Sequence, residues 1–179
     1  GSPAAAVLWR LAQMMEPQSA NKVVRADLLK RCGARFPNTH FFEDIYFHTN
    51  VLAAARRLSF LHAPSFTYFR RYRRPQITGS SSDMRFDIIA VTKLTLESFA
   101  RRPQFHDPYY RAAVIGSCFK IVQWCENAIS HHYRRQFRQA AQAVLRLIDP
   151  LFLHFPPELP AELEAIRPAQ HYIRDLSHA

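Results

Sequence analysis

Asn21-Lys22-Val23-Val24-Arg25-Ala26-Asp27-Leu28-Leu29 opens the stretch that decides how this chain is read. It continues through Phe36, Phe41-Phe42-Glu43-Asp44-Ile45-Tyr46-Phe47 and Leu52-Ala53-Ala54-Ala55-Arg56-Arg57-Leu58, and closes on Pro64-Ser65-Phe66-Thr67-Tyr68-Phe69-Arg70-Arg71-Tyr72-Arg73-Arg74-Pro75-Gln76-Ile77-Thr78. Within it, Ala26 to Cys32 has the composition of a short helix, and Gly33 is a natural left-handed stop. From Glu43 to Leu58 the apolar residues Phe47, Val51, Ala54 and Leu58 recur at helical spacing. Glu43 and Asp44 lie at the start of that pattern and Arg56-Arg57 at its end, an order that suits the helix dipole. Ser59-Phe60-Leu61-His62 and Phe66-Thr67-Tyr68-Phe69 carry the aromatic and alternating character of short strands, separated by the break at Ala63-Pro64-Ser65.

Outward from this stretch the chain reads mainly as helix. Residues 4–15 suit a short helix closed by Pro17, and another is expected to begin near Asp83 as N-cap. After Pro103 one apolar stripe runs through Val114, Cys118, Ile121, Val122, Cys125 and Ile129, and a second through Phe137, Ala141, Val144, Leu145 and Ile148. Prolines at 150, 156, 157 and 160 interrupt, and a final helix of about a dozen residues follows from Ala161. The fold class expected is therefore α/β, mixed short strands with helices, followed by a mainly α-helical C-terminal region. The division falls into residues 1–102 and 103–179.

Composition narrows the function. The chain has 179 residues, 24 Lys+Arg against 14 Asp+Glu for a net charge of +10, and 48 % hydrophobic residues, which excludes global disorder. No apolar run reaches the roughly 18–20 residues that cross a bilayer. Gly1-Ser2 ahead of Pro3 has no basic leader and reads as a cloning scar or an internal cut. Cys32, Cys118 and Cys125 have no C-x-x-C spacing and read as reduced thiols, the latter two on one helix face. No phosphate-cradling glycine loop, G-x-S-x-G or helical zinc pair of histidines occurs. The arginines are scattered in pairs, and Tyr68 to Arg74 alone has the interleaved aromatics of a nucleic-acid surface, so no nucleic acid is expected. Phosphate-bearing ligands, an anionic membrane surface or a partner subunit account for the charge equally well.

The order of pieces from Asn21 to Thr78 resembles the second half of inverting family 2 glycosyltransferases with the GT-A fold. In that family an N-K-x-x-R-x-x-L-L segment precedes an aromatic followed by Glu-Asp. A helix then leads to a strand pair ending in Tyr-x-Tyr-Arg-x-Arg and a Ser-Ile-Thr-like loop. The likeness covers roughly residues 15–100. It implies a nucleotide-sugar-dependent transferase of polysaccharide or glycan synthesis, bacterial, cytoplasmic or peripheral at the inner membrane face, with a nucleotide-sugar donor and a glycan acceptor.

By the same resemblance, Asp44 is the base that takes the acceptor's proton and Glu43 orients the acceptor. The helix start favours their ionised forms. Asn21 and Lys22 fall where the family's strand passes the sugars, while Arg71, Arg73, Gln76 and Thr78 belong to a lid over the diphosphate. Gln76 stands where Ser is usual and Arg70 where an aromatic is usual. His62 is a weak candidate for approaching a metal. The family holds Mn²⁺ or Mg²⁺ through an Asp-x-Asp, and none occurs in this sequence. The divalent ion and the donor-binding half are therefore expected in a longer parent, and this chain by itself is expected to be inactive. The alternative is a non-enzymatic helical interaction domain, with a basic nucleic-acid-binding module as the third reading.

Overall fold

In the computed structural model, residues 3–64, 67 and 79–178 are described, and among them every regular element is helical. The order is α1 (Pro3–Met14), α2 (Ala26–Cys32), α3 (Glu43–Ala54), α4 (Asp87–Ala100), α5 (Pro108–Ala128), α6 (His131–Leu147) and α7 (Arg167–His178), joined by 3-10 turns. This corrects the α/β expectation, since the described residues contain no strand or sheet. Ser59–His62 is exposed and irregular, with Leu61 78 % exposed. A strand is stable only when a neighbour satisfies its backbone groups, and aromatic content cannot supply that neighbour. Asn21 and Lys22 likewise lie on a 3-10 turn (Ser19–Asn21) and its extended exit, not on a strand. The second strand-like run, Phe66–Phe69, falls outside the described residues apart from Thr67.

Helix α5 is the axis of the core. It packs against α1, α4, α6 and α7, and Ala113, Val114, Ile115, Cys118, Phe119 and Cys125 are fully enclosed. Asp107 caps it by accepting the N–H groups of Tyr109 and Tyr110 at 2.8 and 3.1 Å, and Pro108 occupies the first turn, where no N–H is needed. Both apolar stripes read from the sequence face this core, with Ile121 half-buried at its edge. Gly116 lets the 3-10 turn Ala161–Ile166 lie directly on α5, because a Cβ at 116 would fall 2.7 Å from Cβ of Ile166.

Polar groups tie the outer helices down. Glu126 of α5 accepts hydrogen bonds from Tyr172 Oη of α7 and, at 3.2 Å, from Arg138 of α6. Several arginines are structural. Arg111 donates to the carbonyls of Leu151 and Phe105 at 2.8 and 2.7 Å, and buried Arg85 lies 4.4 Å from the Trp124 ring centroid. Arg10 pairs with Glu162 at 2.7 Å. Part of the positive charge is thus spent inside the fold.

Three helix boundaries differ from the sequence pattern, one being the last helix, which begins at Arg167 after a 3-10 turn over Ala161–Ile166 rather than at Ala161. Helix α3 stops at Ala54 and leaves Arg56-Arg57 beyond its end, although the sequence to Leu58 suits a helix. Trp9 Nε1 donates to the Leu52 carbonyl at 3.2 Å and Gln104 Nε2 to the Ala53 carbonyl at 2.8 Å. These are acceptors that further helical turns would have used. The helix expected at Asp83 starts as a 3-10 turn (Asp83–Phe86) capped by Ser82, whose hydroxyl accepts from the Met84 N–H. Gly33 does end α2, at φ 61°, with its N–H bonded to the Leu29 carbonyl. Among the described residues no helix is long and apolar enough to cross a membrane.

Candidate functional site

The first turn of α3 carries Glu43 and Asp44, both half-buried. Ahead of them Phe42 adopts a left-handed backbone, φ 67° and ψ 8°, rare for a residue with a Cβ. Its ring is held edge-on against Phe41 and Trp124, with centroids 6.0 and 6.4 Å away.

Asp44 Oδ1 accepts the Ser19 backbone N–H at 3.2 Å, which brings the Ser19–Asn21 turn onto the start of α3. On that turn Asn21 Nδ2 donates to the Glu16 carbonyl at 2.7 Å. Lys22 Nζ donates to Asn21 Oδ1 at 2.6 Å, to the Pro17 carbonyl at 3.3 Å and to the Gln18 carbonyl. Burial lowers the Lys22 ammonium's proton affinity, and the Asp44 carboxylate opposes that shift. Asn21, Lys22 and Asp44, twenty and more residues apart, therefore meet. Asp44 Oδ2 has no partner among the described residues.

A cleft of about 110 Å³ adjoins this cluster, between the end of α1, the first two turns of α3 and the middle of α5. Gln13, Glu16, Pro17, Ile45, His48 and Ser117 are among the residues that line it. Asp44 borders the cleft through its neighbour Ile45 and is not itself in the wall. His48 stands one helical turn after Asp44 and is buried; its Nε2 bonds the Ala12 carbonyl at 3.0 Å. Burial pushes the imidazole down to about 4, the Lys22 charge adds to the shift, and the carbonyls of Ala12 and Gln13 oppose it.

The remaining candidates are not brought here. His62 is exposed on the irregular segment after α3. Arg71, Arg73, Gln76 and Thr78 lie outside the described residues. Among the described residues no three His, Cys, Asp or Glu side chains group as metal ligands. Sequence reasoning passed over Gln13, His48 and Ser117. The spacing of four between Asp44 and His48 was an available signal, because it puts both on one face of α3.

No protein-family model, curated protein or solved structure matches the chain.

Proposed function

We propose that the cluster of Asn21, Lys22, Glu43 and Asp44 is the acceptor side of an inverting, nucleotide-sugar-dependent glycosyltransferase of the family 2 type. What supports it is the meeting of Asn21-Lys22 with Asp44 at the start of α3, beside an open cleft. In the sequence these were separate fragments of one motif order, and nothing local requires them to converge.

In this reading the unpartnered Oδ2 of Asp44 accepts the proton of an acceptor hydroxyl as that oxygen attacks the anomeric carbon of the donor. The new C–O bond forms as the bond to the nucleoside diphosphate breaks, and the leaving group departs with its electron pair. Lys22 holds the 16–18 segment in place through its carbonyls, and Glu43 orients the acceptor. This reading takes the nucleotide-sugar donor and any divalent ion to be held by residues other than these.

The test is transfer of sugar by the parent polypeptide, supplied with a panel of nucleotide sugars, before and after Asp44→Asn. A loss of at least about a hundredfold in turnover is expected for removal of a general base. Turnover within a few-fold of the unmodified enzyme overturns the assignment. The helix-only architecture of the described residues favours a second reading, a helical interaction domain. It expects no turnover with any nucleotide sugar and indifference of partner binding to Asp44→Asn.

A further inference from the structure

Beyond the end of α3 the chain runs Arg56-Arg57-Leu58-Ser59-Phe60-Leu61-His62 without regular structure. Across residues 56–64 Leu58 alone is not exposed, and Leu61 is 78 % exposed. The guanidinium groups of Arg56 and Arg57 and the hydroxyl of Ser59 have no hydrogen-bond or ion-pair partner among the described residues. The backbone N–H groups of residues 56–62 have none there either.

The cause lies in the preceding helix. Trp9 and Gln104 take the Leu52 and Ala53 carbonyls, so α3 stops at Ala54 and leaves this run unwound. Within a helix Arg57 and Ser59 would point to different sides, and the backbone groups would be engaged. Unwound, the run is free to lie extended in the cleft of another protein, its side chains read from alternate sides.

The residue types select that protein. Guanidinium groups three and two positions before a hydroxyl call for carboxylates at matching places in the cleft, because arginine and carboxylate pair through charge-assisted hydrogen bonds. Phe60, directly after the hydroxyl and 37 % exposed, suits an apolar pocket beyond it. An acidic cleft with such a pocket is the substrate site of serine/threonine kinases that choose their substrates by positive charge. No other Ser or Thr in the chain has arginine both two and three residues before it. Ser177 follows Arg174 by three, but it lies within α7 and its hydroxyl donates to the Ile173 carbonyl at 2.8 Å.

We propose that Ser59 is a phosphorylation site for a basophilic serine/threonine protein kinase that binds Arg56 and Arg57 and uses ATP as phosphoryl donor. The Ser59 Oγ attacks the γ-phosphorus of ATP. The new O–P bond forms as the bond from that phosphorus to ADP breaks. ADP keeps the electron pair, and the hydroxyl proton passes to the aspartate of the kinase. The phosphate brings about −1.5 to −2 charges beside Arg56 and Arg57, which cancels a free cationic pair. Nothing in this site depends on the function proposed above.

The native chain is incubated with Mg-ATP and the catalytic subunit of cyclic-AMP-dependent protein kinase, a basophilic enzyme, then read by intact mass and peptide fragmentation. One phosphoryl group is expected, on Ser59, and Ser59→Ala should not acquire it. Arg56→Ala and Arg57→Ala should each lower kcat/KM by about tenfold or more, the loss of one charge-assisted contact. Side chains this exposed are replaced with little effect on folding, so the melting temperatures of all three variants should match that of the parent sequence. A synthetic peptide of residues 54–64 gives the rate without the fold. The native chain should match it within a few-fold, since no local opening has to precede binding. The proposal is overturned if the kinase refuses the peptide, or if it modifies the peptide but not the native chain. It is equally overturned if phosphate enters the native chain only at other residues, or if both arginine variants react as fast as the parent sequence.

Discussion

The Asp44 carboxylate accepts the backbone N–H of Ser19 across twenty-five residues of chain, and that contact seats the Asn21-Lys22 turn on the start of α3. An asparagine side chain offers a carbonyl oxygen in the same place, whereas alanine offers nothing. Asp44→Asn is therefore expected to melt close to the unmodified protein, and Asp44→Ala to lose about 0.5–1.5 kcal/mol. Urea unfolding of the three proteins checks this. Equal losses in both variants would mean that charge, not the hydrogen bond, holds the turn.

His48 gives the stability a pH dependence whose sign is fixed by its burial. Its folded value of about 4 lies below the ordinary 6.5, so the unfolded chain binds the proton first as pH falls. Stability from this group is fully present above 6.5 and is lost progressively down to 4, by about 3 kcal/mol in total. Lys22 is the charged group that acts on it. Unfolding free energies of the unmodified protein between pH 7 and 4 should fall more steeply than those of His48→Gln. Parallel curves would show that the imidazole is not enclosed in its neutral form.

Gly116→Ala separates helix propensity from packing. In an exposed helix interior the change would stabilise by roughly 0.8–1 kcal/mol. Here the new methyl meets Cβ of Ile166 at 2.7 Å, and that atom is fixed to its backbone. Overpacking of about 1–3 kcal/mol outweighs the propensity gain, so a lowered melting temperature is expected. In an Ile166→Gly background, the same substitution should cost less, which a double-mutant cycle reads directly.

The residues that were legible in the sequence are those whose role is set by near neighbours. Val114, Cys118, Val122 and Cys125 form one stripe because α5 is regular, and Gly33 ends α2 because a left-handed stop suits glycine. The segment Ser59–His62 was misread because strand character counts only when another strand lies alongside. The early end of α3 is imposed by Trp9 and Gln104, donors 43 and 51 residues away from the carbonyls they bond. Gln13 and His48 escaped notice for the same reason, since they line one cleft only after α1 packs on α3.

Thiol chemistry tests the core without altering it. Cys118 and Cys125 are fully enclosed, and burial pushes their thiols up to about 12 and about 11, while Cys32 is half-buried on α2. Alkylation requires an accessible thiolate, so iodoacetamide at neutral pH should modify Cys32 alone in the native protein and all three after denaturation. Mass spectrometry of the peptides distinguishes the sites. Native labelling at Cys118 or Cys125 would mean that α5 separates from its neighbours on the time scale of the reaction.

Phe42 combines a left-handed backbone with a ring that packs against Trp124, so its substitutions should reverse the usual order. At most positions alanine is more stable than glycine, because glycine loses more chain entropy on folding. A Cβ in the left-handed region costs about 1–2 kcal/mol, whereas glycine adopts it freely. Both substitutions forfeit the ring contacts and should destabilise the protein. Phe42→Gly should nevertheless be the more stable of the two, by about 1 kcal/mol. Chemical unfolding of both variants, with Trp124 fluorescence reporting the lost contact, settles the order. Alanine at or above glycine would show that the chain before Glu43 relaxes out of the left-handed region once the ring is gone. In that case the packing of the Phe42 ring against Trp124 is what holds the left-handed backbone ahead of Glu43.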